Sequence, residues 1–328
     1  MTDHPARDRA LPAERGVLDA RPELGGARST PAFGLPDGAP SGLPAGLGST
    51  RIGRRTFTWG TRTFVMGIVN VTPDSFSGDG LLAAGQPVEA AVRLAGSMAD
   101  AGADILDIGG ESSRPGHATV SAEDELARVI PVIRAVREVL ADIPISIDTT
   151  KPVVAAAAID AGANLVNDVW GVVEDDALAR LAAERRLPIV LMHNRAEARY
   201  TTLLPEIVAD LQRAIERALS AGIAWDDIVV DPGFGFGKTA EHNLALLRDL
   251  GSLAILGRPI LIGTSRKSTL GRVLDLPPDQ RLEATLATTA LAIASGADIV
   301  RVHDVRANVR AARMADAVVR GAWPGEEA

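Results

Sequence analysis

Ala101-Gly-Ala-Asp-Ile-Leu-Asp107 decides the fold, because the chain repeats the phrase. Ala161-Gly-Ala-Asn-Leu-Val-Asn167 and Ser295-Gly-Ala-Asp-Ile-Val-Arg301 are its echoes. In each copy a glycine can close a helix in the left-handed region just before an apolar run begins. The third residue of each run is polar: Asp107, Asn167 and Arg301. Side chains alternate along a strand, so these three should project to equivalent sides, as should Gly109, Val169 and His303. Buried parallel strands are nearly all apolar, and polar residues recurring at one register point to a lined pocket.

Outward from that phrase, strand-like runs alternate with helical patterns. The runs are Phe64–Val71, Ile105–Gly109, Pro144–Asp148, Leu165–Val169, Pro188–Met192, Ile228–Asp231, Pro259–Gly263 and Ile299–Val302. Between and after them lie helical stretches at 87–101, 122–140, 152–161, 175–185, 205–221, 240–250, 281–294 and 305–320. Roughly eight strand–helix units over about 260 residues is what an α/β chain folded as a (β/α)8 TIM barrel requires. A doubly wound open sheet is the alternative, but the first strand runs into Thr72-Pro-Asp-Ser-Phe76 where a dinucleotide site needs Gly-x-Gly-x-x-Gly.

Residues 1–50 are rich in Pro, Gly and Ala without helical or strand period, and read as a flexible, disordered N-terminal tail. The barrel domain is then 51–328. Between Arg54 and Thr63, two β-prone pieces around Gly60 predict an N-terminal β-hairpin covering one end of it. Cysteine is absent, so there are no disulfides and no thiolate chemistry. A formal charge of −8 gives no general attraction to nucleic acid or to an anionic membrane. No apolar run approaches the ~20 residues of a membrane span, and the N-terminus lacks a secretory core. A cytoplasmic location is the expectation.

The richest loop follows the run at 228: Ile228-Val-Val-Asp-Pro-Gly-Phe-Gly-Phe-Gly-Lys238. Glycine at alternate positions lets backbone approach a ligand closely, and two phenylalanines offer faces to stack on. In a barrel the strand C-termini and their loops converge on one mouth. That gathers Asn70, Asp74, residues 111–116, Asp148, Asn167, Met192, Asp231, Lys238, Lys267, Arg301 and His303. Asp148, Asn167 and Asp231 can pair with the donors of a planar heterocycle. Asn70, Arg114, Arg301 and His303 can hold an anion, and Lys267 a carbonyl or phosphate oxygen. Plainer roles stay open: Asp148 as a helix cap near Pro152, Arg301 as a barrel-end salt-bridge partner, His303 and His193 as structural histidines. The five histidines are scattered, which gives metal ligation by histidine little support.

These stretches together resemble dihydropteroate synthase. The resemblance rests on Asn70-Val-Thr-Pro-Asp-Ser-Phe-Ser77, Gly109-Gly-Glu-Ser-Ser-Arg-Pro-Gly116, Ser146-Ile-Asp-Thr-Thr-Lys-Pro152, Asn167-Asp-Val169 and Leu191-Met-His193. It continues through Asp231–Lys238, Gly263-Thr-Ser-Arg-Lys-Ser268 and Arg301-Val-His-Asp-Val305, in that family's order over about residues 64–320. It implies a Mg2+-dependent transferase of folate synthesis, joining 6-hydroxymethyl-7,8-dihydropterin pyrophosphate to p-aminobenzoate, with sulfonamide sensitivity and a homodimer. The catalytic set implied is Asp148, Lys267 and Arg301. The implied pterin contacts are Asp148, Asn167, Met192, Asp231, Phe236, Gly263 and Lys267. Asn70, Arg301 and His303 would hold the pyrophosphate, Asn70 also meeting Mg2+. Phe76, Ser113, Arg114, Pro115, Ser265 and Lys267 would wall the aminobenzoate pocket.

Three positions depart from the common family wording: Ser77-Gly-Asp-Gly80 for Ser-Asp-Gly-Gly, Ser113 for threonine, and Asn194 for methionine. The methyl missing at Ser113 is a change of ~1 kcal/mol of packing. Two other readings are a pterin-binding paralogue without catalysis and a pterin-dependent corrinoid methyltransferase. The latter would not need the loops at 72–76, 112–116 and 265–268 together.

Overall fold

Apolar runs become interior parallel strands when both faces are covered, and here eight of them do. The computed structural model describes residues 46–72, 87–111, 119–170 and 176–322. Two short antiparallel strands come first, β1 (Ser49–Ile52) and β2 (Arg55–Thr58). The parallel strands are β3 (Phe64–Asn70), β4 (Ile105–Gly109), β5 (Ile145–Asp148), β6 (Leu165–Asp168), β7 (Ile189–Met192), β8 (Ile228–Asp231), β9 (Leu261–Ile262) and β10 (Ile299–Val302). Around them stand α1 (Pro87–Asp100), α2 (Ala122–Val139), α3 (Pro152–Ala161), α4 (Ala177–Arg185), α5 (Leu203–Ser220), α6 (Ala240–Arg248), α7 (Ser268–Leu274), α8 (Leu282–Ala294) and α9 (Val305–Val319).

Hydrogen bonding orders the sheet β8-β7-β6-β5-β4-β3-β10-β9. A parallel bridge from Val230 to Ile260, with the Val230 N–H donating to the Pro259 carbonyl at 2.9 Å, joins its two ends. The expected (β/α)8 barrel is therefore present. The repeated glycines all take positive φ, +98° at Gly102, +121° at Gly162 and +95° at Gly296, wider than ideal αL. They end α1, α3 and α8 where the next strand must start. Among the described residues no helix is long and apolar enough to cross a membrane.

Strand alternation separates two apolar layers. Leu106, Ile147, Val166, Leu191 and Val300 face the helices, while Phe64, Ile105, Leu165, Leu261 and Ile299 face inward at the strand N-termini. The hairpin closes that end. Ile52, Phe57 and Trp59 join the inward cluster, with the Phe57 ring 4.8 Å from that of Phe64 and 5.8 Å from that of Trp59.

Two expectations need correction. The hairpin turns at Gly53-Arg54, with Ile52 paired to Arg55, and not around Gly60. Gly53 at φ +60° takes the first place of a two-residue turn, where a strand-matching twist calls for glycine. β1 thus begins at Ser49, and the rest of the stretch read as a tail, up to residue 45, lies outside the described residues. The sequence reading also missed α7, whose seven residues are too few to show a helical period.

Phe57 is 2% exposed and serves the closed end alone. Phe57→Ala should cost about 3–5 kcal/mol of stability. Chemical denaturation will show this as a lower midpoint, with turnover per folded molecule unchanged.

Candidate active site

Along the same inward rows, toward the strand C-termini, apolar residues give way to polar ones. Register sets Asn70 beside Gly109, Gly109 beside Asp148, and Asp148 beside Asn167, one rung across four strands. Met192 stands beside Asp231 on the next pair. The strand ends expected to converge do so, at the mouth opposite the hairpin.

Asn167 of that rung meets Asp107 and Arg301, the other two polar residues of the repeat. Arg301 Nε donates to Asp107 Oδ2 at 2.6 Å, and Asn167 Nδ2 donates to the same oxygen at 3.2 Å. A second guanidinium nitrogen of Arg301 donates to Asp148 Oδ2 at 2.7 Å. The salt-bridge reading of Arg301 and its place in the mouth are thus one fact. Asp148 caps no helix: α3 starts from Lys151, without a side-chain cap. Asp107, fully buried, was read from the repeat as a pocket-lining residue but without a partner, because Arg301 lies 194 positions away.

The Gly-rich loop between β8 and α6 supplies the opposite wall. Asp231 Oδ1 accepts from the Gly233 N–H at 2.7 Å. Gly233, Gly235 and Gly237 all have positive φ, and a Cβ on Gly233 would overlap the His193 carbonyl oxygen. Only glycine lets the two backbones touch there. Lys267 precedes α7 in extended conformation, without capping it. Its ammonium donates to the Phe234 carbonyl and lies 4.4 Å from the centre of the Phe236 ring. Gly263 follows β9 and lies against Arg301, where an added Cβ would sit 3.6 Å from the Arg301 Cβ, in ordinary contact.

Ser265 and His303 close the circle, with Ser265 Oγ 3.0 Å from His303 Nδ1 and accepting the His303 N–H at 3.2 Å. Asn194, one of the three departures, donates through Nδ2 to the Val169 carbonyl at 3.3 Å and ties adjacent loops. Phe76, Ser113, Arg114 and Pro115, with Asp74 and the change at 77–80, lie outside the described residues. Among the described residues no group of three or more His, Asp or Glu side chains is placed to hold a metal ion.

Burial poises these charges. It pushes Asp148 up to about 7, against the pull of Arg301. Asp231 is raised too, again by burial, with Lys267 opposing. Burial also brings Lys267 down to about 7, Asp231 working the other way. For Arg301, burial is outweighed by Asp107 and Asp148, and the guanidinium is held above its ordinary value. The mouth can therefore carry or lose single protons near neutrality at Asp148 and Lys267, beside the permanent cation of Arg301.

Fold and site define a (β/α)8-barrel enzyme whose mouth sets carboxylates against fixed and titrating cations. The family model described as pterin binding enzyme matches residues 66–303. A dihydropteroate synthase of Clostridium beijerinckii is 49% identical over 82% of this chain and 99% of its own length. One from Bacillus subtilis is 50% identical over 79% of this chain and 89% of its own. The solved Xanthomonas albilineans dihydropteroate synthase with 4-aminobenzoic acid superposes with a TM-score of 0.76 at 45% identity, covering 82% of this chain and 97% of that one. The chain belongs to the pterin-binding enzymes and, among them, to the dihydropteroate synthase family.

The raised Asp148 fixes the sign of a pH effect. Between its ordinary 3.8 and about 7 the unfolded chain loses this proton while the folded protein keeps it, so stability falls as pH rises. Wild-type stability relative to Asp148→Asn should decline from pH 4 to pH 7 and level off above. Urea titrations of both proteins across that range provide the measurement, and a flat difference would refute burial as the controlling cause.

Proposed function

We infer that this chain joins 6-hydroxymethyl-7,8-dihydropterin pyrophosphate to p-aminobenzoate, releasing pyrophosphate and 7,8-dihydropteroate. The observation that carries the reading is the gathering of Asp148, Asn167, Asp231, Lys267, Arg301 and His303 at one barrel mouth, in a chain about half identical to dihydropteroate synthases.

Asp148, Asn167 and Asp231 grip the hydrogen-bonding edge of the pterin. Met192, buried at the end of β7, packs against its ring. Lys267, with the Phe236 face beneath its ammonium, takes a ring oxygen or nitrogen. Arg301 and His303 receive the diphosphate at the last strand of the barrel, the region where such folds commonly hold phosphate. The bond from the methylene carbon to the diphosphate oxygen breaks, the amine nitrogen bonds to that carbon, and an amine proton leaves. An electron-rich pterin supports early departure, so the protein's part is to stabilise separating charges: carboxylates near the ring cation, cations near the diphosphate. No side-chain nucleophile is needed. Phe76, Ser113, Arg114, Pro115 and Ser265 are assigned to the aminobenzoate pocket, which is also where a sulfonamide would compete.

Mg2+ suits this mouth. It binds through one or two protein oxygens together with substrate phosphates and water. Asn70, at the end of β3 and next to the strand carrying Arg301, offers such an oxygen and would hold the ion. When bound it would neutralise charge on the departing diphosphate. A homodimer is supported by exposed apolar side chains on α7 to α9, among them Val273, Leu291, Met314 and Val318. A cytoplasmic location is consistent with the lack of cysteine.

Pyrophosphate release from the pterin substrate, Mg2+ and p-aminobenzoate tests the reading. Turnover requires the amine and depends on the ion. Binding without turnover would select a silent paralogue, and methyl transfer from methyltetrahydrofolate the corrinoid-linked enzyme. Lys267→Ala and Asp231→Ala should each abolish measurable pterin binding in calorimetry. Ser113→Ala should mainly raise the KM for aminobenzoate. Unaltered pterin affinity in the first two variants would overturn the site map.

A further inference from the structure

Two ammonium groups share the Gly-rich loop, and only one of them, Lys267, has a role so far. The other belongs to Lys238, the last residue of the loop and half-buried. Its Nζ donates to the Gly233 carbonyl at 3.1 Å and the Phe236 carbonyl at 3.1 Å, and lies 2.8 Å from His193 Nδ1. An ammonium has three donors and no acceptor, so this set uses it fully. His193 must then accept through Nδ1 and donate through Nε2, which faces Asp210 Oδ2 at 3.1 Å. Arg195 binds the same Asp210 oxygen at 2.7 Å and fixes the far end of the chain.

We propose that Lys238 is a positioning residue of the pterin pocket: held by His193, its ammonium sets the turn that presents the Phe234 carbonyl and the Phe236 ring to Lys267. The inference rests on the reaction assigned above and deepens it. The loop carbonyls alternate between the two lysines. Gly233 and Phe236 accept from Lys238, and Phe234, between them, accepts from Lys267. Each lysine thus secures backbone that the other needs. No neutral side chain of similar length offers three donors, so the loop would lose its pin on substitution.

The electrostatic surroundings agree. Burial brings Lys238 down to about 7, with Asp231 opposing and Lys267 and Arg195 contributing. Burial, then the charge of Lys238, lowers His193 to about 4, which keeps the imidazole neutral and able to accept. The charged groups facing Lys238 are Asp231, Lys267, Arg195 and Asp210, beside the neutral His193. Those facing Lys267 are Asp231, Arg301 and Asp148, with Lys238 across the loop. Repulsion between the two ammonium groups is mutual, so neutralising Lys238 lifts the proton affinity of Lys267.

The test uses the full chain as wild type, Lys238→Met and His193→Leu, with initial rates measured against each substrate from pH 6 to pH 9. Lys238→Met should raise the KM for the pterin pyrophosphate at least tenfold and change that for aminobenzoate less than twofold. It should also shift the alkaline limb of kcat/KM for the pterin to higher pH. His193→Leu keeps the lysine and removes one acceptor. It should move the pterin KM the same way by a smaller factor, which keeps the inference testable if Lys238→Met fails to fold. Equal changes in both KM values, or an unchanged pterin KM in the folded variants, would overturn it. Calorimetry with the pterin pyrophosphate separates the two failures. A wild type that binds without turnover defeats the assigned reaction, whereas Lys238→Met binding as tightly as wild type defeats the role of Lys238.

Discussion

One guanidinium held between two carboxylates inside a barrel is the constraint on which the rest depends. Arg301 reaches Asp107 through Nε and Asp148 through a terminal nitrogen, from a strand separated from both in sequence and close to both in space. Buried charges of this kind cost several kcal/mol each to desolvate, and removing one partner is far more damaging than the pair is beneficial. The arrangement persists only where packing elsewhere supplies the stability. In this chain that support comes from two apolar layers and the hairpin seal, all on the other faces or at the other end.

The cylinder therefore divides its labour along its length. At the strand N-termini, the inward residues are aromatic and aliphatic and the hairpin shuts water out. Two residues further along the same strands, the inward positions are Asp107, Asn167 and Arg301, and two beyond those are Gly109 and His303. Packing occupies one end and electrostatics the other. Because Asp148 and Lys267 are both poised near neutrality, a ligand can be met by shifting single protons as well as by moving side chains.

Much of this was legible in the chain itself. The triple phrase at 101, 161 and 295 announced both the alternation of helix and strand and the inward polar register. The structure joins the polar members of all three copies around a single oxygen of Asp107. What stayed hidden depended on distance or on brevity. The repeat placed Asp107 on the same side as Asn167 and Arg301, but not the bond that joins it to Arg301 across 194 positions. The helix α7, which Lys267 precedes without capping so that its ammonium reaches the mouth, is too short to leave a period. The hairpin was sensed but misplaced, since Gly60 and Gly53 offer the same turn chemistry and only pairing chooses between them. The histidine at 193, read as structural, turned out to be the acceptor of a loop lysine, a relation that spacing along the chain does not encode.

The way the sheet meets itself has a consequence of its own. Seven of the neighbouring strand pairs are laced by runs of partners, but among the described residues β8 and β9 are fastened by one bridge, at Val230 and Ile260. Immediately past it on one side lie Asp231 and its glycine loop, and on the other Gly263, Ser265 and Lys267. Across the gap these two arms flank, backbone lacing is sparse and a side chain takes over the fastening: the Lys267 ammonium, from one arm, holds the Phe234 carbonyl of the other.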